Sequence, residues 1–84
     1  MNKKLTVRTE NGRVRYCVLD AQQDFEKQLS EVLGIQPGYG RAVRVYEEEI
    51  CVEDYYSNET IGSFAVLAIE DTALPVSLRW ADVT

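Results

Sequence analysis

Eighty-four residues with an apolar share of 45% suffice for one small domain, 1–84, around a single core, and are too apolar for a disordered chain. No apolar run nears the roughly 20 residues that cross a bilayer. The start has two lysines but neither an apolar stretch nor a small-residue cleavage site after them, so no membrane partner is expected and the cytoplasm is the default location.

Net charge is −5, and it is unevenly placed. Residues 1–45 hold eight basic and five acidic side chains, whereas residues 46–84 hold one basic and nine acidic. An acidic chain has no general pull on DNA or RNA, because phosphate contacts need Lys and Arg. The acidic half asks instead for a basic partner.

Residues 3–19 read as two alternating runs around Asn11-Gly12, a strong hairpin signal. A two-residue loop sets Leu5 opposite Val18 and Val7 opposite Tyr16. Leu5, Val7, Val14, Tyr16 and Val18 then face the core. Lys4, Thr6, Arg8, Arg13, Arg15 and Cys17 face water.

Next, Asp20 stands as an N-cap with Gln23 three residues later, and Gly34 stands where a helix ends in a left-handed residue. Ala21, Phe25, Leu29, Val32 and Leu33 recur at helical spacing. Residues 35–42 form a loop with Pro37, Gly38 and Gly40. Val43 and Val45 alternate as in a strand, but Ile50 and Val52 have the opposite parity, so a bulge or a tight turn at Glu47–Glu49 must reset the register. Residues 63–69 form a near-continuous apolar run suited to a central strand, and Val76, Leu78 and Trp80 mark a closing one. The order is β-β-α-β-β-β with a further hairpin possible at the glutamates. It predicts a two-layer α+β domain, a mostly antiparallel sheet of four to five strands with one helix on one face.

Histidine is absent, which removes the commonest general base and metal ligand. Cys17 and Cys51 lie outside any CxxC pair and read as two reduced thiols. Gly38 and Gly40 precede no Gly-Lys-Ser/Thr, and the acidic stretch lacks the calcium-loop pattern. So short a chain leaves little room for a deep pocket, so a non-catalytic protein without cofactor or metal is expected.

Residues 46–59 carry six carboxylates, Glu47, Glu48, Glu49, Glu53, Asp54 and Glu59, with no lysine or arginine among them. Charges on an edge strand deter sheet-to-sheet pairing, which is one use for them. Their number, with Tyr55 and Tyr56 beside them and Tyr39 in the glycine-rich loop, fits a surface for a basic partner protein, such as a nucleic-acid-binding complex. Small acidic proteins of mobile elements, such as DNA mimics and some anti-CRISPR proteins, act as inhibitors in this way, a likeness of size and charge alone. The alternatives are a nucleic-acid-binding face made of Lys4, Arg8, Arg13 and Arg15, and a small subunit whose free sheet edge builds a homodimer.

Overall fold

The computed structural model describes residues 1–35, 40–54 and 59–83, with only the backbone of Glu59 and Ile61. The elements in chain order are β1 (Asn2–Arg8), β2 (Val14–Leu19), α1 (Phe25–Val32), β3 (Arg41–Val45), β4 (Glu49–Asp54), β5 (Glu59–Thr72) and β6 (Ser77–Asp82). The six strands form one antiparallel sheet in the order β3-β4-β5-β1-β2-β6. The α+β class with an antiparallel sheet therefore stands, but the sheet has six strands where four to five were expected. The added strand arises because the glutamates make a tight turn. Tyr46 donates its N–H to the Glu49 carbonyl (2.8 Å), and Val45 lies opposite Ile50. Two intervening residues flip the parity, and Val43, Val45, Ile50 and Val52 share one face.

The sheet is strongly curled. Phe64 on β5 and Trp80 on β6 have ring centroids 5.8 Å apart, although β1 and β2 lie between their strands. Three strand spacings in a flat sheet would separate them by about 14 Å. The result is a half-barrel, and α1 sits in its mouth, packed against both edge strands, β3 and β6. Leu29 from the helix meets Leu5, Val7, Cys17 and Ile50 in the core, all at most 2% exposed.

The first hairpin departs from expectation by one residue. Thr9 pairs with Arg13 through its N–H (2.8 Å), leaving three residues in the turn, and Gly12 takes φ +85°. Leu5 therefore faces Cys17, and Val7 faces Arg15. Cys17 moves into the core, and Tyr16 moves to the outer face, where the Lys4 ammonium sits 4.7 Å from its ring centre. Val18 is also outside, yet it is buried beside Leu74 and Pro75, which line the same small cleft.

The helix is shorter than its apolar stripe suggested. Asp20 caps a turn, accepting the Gln22 N–H (2.9 Å), and Asp24 is the N-cap, accepting from Glu26 N (3.0 Å). Gly34 does take the left-handed conformation at φ +70°. Its N–H reaches the Glu31 carbonyl and that of Ile35 reaches Ser30, the paired bonds of a Schellman ending. Gln28, which lies off the stripe, is buried. Its amide nitrogen donates to the Asp20 carbonyl (2.9 Å) and its oxygen accepts the Asp20 N–H (2.8 Å), pinning the chain that leaves β2.

Candidate functional site

The turn between β3 and β4 carries Glu47, Glu48 and Glu49, all exposed. The Glu48 carbonyl accepts the Val66 N–H (2.9 Å), which docks the turn on the central strand β5. Among the described residues no cation pairs with these three carboxylates, whereas the described ion pairs occupy Glu53, Asp71 and Asp82.

Glu49, Cys51 and Glu53 alternate along the outer face of β4, together with Arg44 and Tyr46 from β3. Glu53 is held from two sides, by Arg44 Nε at 3.7 Å and by the Tyr46 hydroxyl, which donates at 3.3 Å. The negative charge of Glu53, and the hydrogen bond to it, raise the Tyr46 hydroxyl above its ordinary range. Cys51 is buried between the flanking acids, and burial, with the hydrogen bond and charge of Glu49, pushes its thiol up to about 11. Asp54 stands at the far end of β4, opposite both Arg41 and Glu59. Five residues of extended chain place it about 17 Å from Glu49. The acids of residues 46–59 are thus an exposed group at the turn, an internally engaged Glu53, and Asp54 with Glu59 at the other end. Tyr39, Tyr55 and Tyr56 lie outside the described residues.

The basic residues of the first hairpin do not share one face, as the expected register would have it. Lys4 and Arg8 lie outside, Lys4 opposite Glu70 and Arg8 in one row with Ala65 and Glu49. Arg15 lies opposite Val7 on the inner face, and Arg13 and Arg15 both engage Asp82, at 3.0 and 3.1 Å. The shifted register, and an aspartate from β6, divide the patch.

A groove of about 620 Å³ runs between α1 and the edge of β3, past Glu26, Lys27, Glu31, Arg41 and Val43. A smaller one of about 370 Å³ lies beside the first turn, with Arg13, Arg15, Ser63 and Phe64 on its walls. Both are open to solvent along the surface. In the smaller one Glu10 accepts the Ser63 N–H (3.2 Å) and ties the first turn to β5, a contact that no motif foretold. Among the described residues no three carboxylate or thiol groups converge where an ion could sit. No helix among them is long and apolar enough to cross a membrane.

Comparison with protein-family models, with curated proteins and with solved structures finds no match to this chain.

Proposed function

We propose that the protein is a non-catalytic binding module, an inhibitor or adaptor whose β3–β4 turn engages a basic surface of another protein. The observation that supports it is the exposure of Glu47, Glu48 and Glu49 together on one tight turn, without a pairing cation among the described residues and braced against β5. Carboxylates held by backbone pairing present charge at a lower ordering cost than a flexible acidic tail. A surface evolved to hold phosphate is the natural counterpart, and an acidic turn would block it as DNA mimics and some anti-CRISPR proteins block theirs. Asp54 and Glu59 extend the charge toward the other end of the hairpin. The nucleic-acid reading retains only Lys4 and Arg8 on one face, and it ranks below.

The test is affinity capture from host cells with the parent protein and with Glu47→Lys, Glu48→Lys and Glu49→Lys combined. The reading expects a partner with a basic surface that the parent retains, that the triple variant loses, and that salt weakens as screening shortens to about 8 Å. Retention of the same partner by the triple variant would sink it.

A further inference from the structure

Strand β5 outruns its neighbour β4. The β4–β5 register ends at Glu49 opposite Ala65, and the bond from Val66 N–H to Glu48 is the last on that side. On its other side β5 remains paired with β1 as far as Thr72 opposite Asn2. The backbone directions follow from the alternation of an antiparallel ladder. Thr9 and Arg13 form a bonded pair at the first turn, so Arg8, Thr6, Lys4 and Asn2 aim their backbone groups at β5. Their partners Ala68, Glu70 and Thr72 aim back, and Ile69 and Asp71 aim away from β1. Among the described residues no strand meets them there.

The open margin from Leu67 to Asp71 spans about 14 Å. Leu67 and Ile69 beside it are 43% and 42% exposed. Glu47 and Glu48 stand at one end and Glu70 and Asp71 at the other, and residues 46–72 contain no lysine or arginine. Positive charge nearby comes from Lys3, which reaches across from β1 to Asp71, from the N-terminal ammonium, which also lowers the Asp71 pKa, from Lys4 opposite Glu70, and from Arg8 opposite Ala65.

We propose that this margin receives an extended segment of a basic partner protein, which adds to β5 as a further strand in line with β4. Main-chain bonds to Ile69 and Asp71 would supply affinity, and an apolar side chain against Leu67 and Ile69 would set register. Lysine or arginine at the segment's ends would meet the acids at both ends of the margin. A second copy of the chain fits less well, because an antiparallel self-pair brings Glu70 and Asp71 beside the glutamates of the other turn. This inference rests on the reading above that the partner is basic.

The test uses isotope-labelled full-length protein and capped peptides with alternating valine and threonine in the middle and two lysines at each end. At saturation the lysine peptide slows amide exchange at Ile69 and Asp71 by about tenfold or more, and exchange on β3 is unchanged. Ile69→Pro abolishes binding while keeping the β1 ladder, since that N–H points away from β1. Ile69→Thr with Leu67→Thr serves if the proline variant does not fold, and it weakens binding. Absence of protection at these two amides overturns the proposal. So does equal binding by a peptide N-methylated at alternate positions, which would leave the acidic reading standing. Equal binding by a glutamate-ended peptide would overturn the basic occupant and, with it, the functional reading. A dimer in sedimentation that Ile69→Pro dissociates would assign the margin to a second copy.

Discussion

Glu26, in the first turn of the helix, accepts the backbone N–H of Val45 at 3.2 Å. Val45 lies opposite Ile50 between bonded pairs, so this N–H faces the open side of β3, where another strand could add. The helix thereby occupies a donor that an intruding chain would need. Glu26→Ala should cost about 1.5–3 kcal/mol, the range for a lost bond to a charged acceptor. Denaturant unfolding measures the loss, and amide exchange should quicken first at Val45.

Gln28 holds both backbone groups of Asp20. Gln28→Leu keeps the volume and strands both partners, so it should destabilise by about 2 kcal/mol. Gln28→Glu turns a donor into an acceptor facing the Asp20 carbonyl, and it should be worse at neutral pH than at pH 4. Thermal melts of both variants at the two pH values decide this.

Leu5 and Thr6 are neighbours with opposite fates in the observed register. Leu5→Ala should cost about 2–5 kcal/mol and Thr6→Ala under about 1 kcal/mol. Tyr16→Ala should fall well below Leu5→Ala, since its ring is only partly buried and meets the Lys4 ammonium. If Tyr16→Ala proves the costlier, the three-residue turn is wrong.

Both thiols are free and buried, and burial pushes Cys17 up to about 12 and Cys51 to about 11, from 9.0. Native protein should react slowly with a thiol reagent at pH 8, and completely once unfolded. The pH dependence has a definite sign. Above pH 9 the unfolded chain sheds thiol protons that the folded chain keeps, so stability is full below that value. It then falls as pH rises toward 11 and 12, at a slope approaching roughly 1 kcal/mol per pH unit for each thiol. Cys17→Ala should flatten the upper part of that curve in denaturation series from pH 8 to 11.

Much of this was legible in the residues. The parity conflict between Val43, Val45 and Ile50, Val52 demanded a reset, and the turn at Glu47 and Glu48 supplies it. Gly34 marked the helix end because only glycine takes that conformation cheaply. The register of the first hairpin was not legible, for two reasons. β2 is apolar on both faces, Cys17 and Leu19 on one and Tyr16 and Val18 on the other, so a one-residue slip keeps an apolar set inside. Asn11 and Thr9 also bond locally, both accepting from the Arg13 N–H, which favours the longer turn. Of the candidate site, the run of acids could be read, but its division could not. That depends on Glu53 meeting Arg44 and Tyr46 across a strand pair, and on Glu49 and Asp54 lying at opposite ends of β4.

The pairing of Asn2 with Thr72 places β1 at the middle of the sheet, beside β5, which follows it in the chain only after β2, α1, β3 and β4. Until β5 is made, the edge of β1 away from β2 has no neighbouring strand. Beyond the hairpin, Leu5, Val7 and Cys17 then have only their core partners from α1, β3 and β4, such as Leu29 and Ile50, and part of their burial energy is withheld. The loop that must close takes in β2, α1, β3 and β4, a long-range pairing of the kind that slows folding and leaves β1 open to wrong strands meanwhile. The order of synthesis thus leaves a free edge on the central strand for as long as β5 is missing.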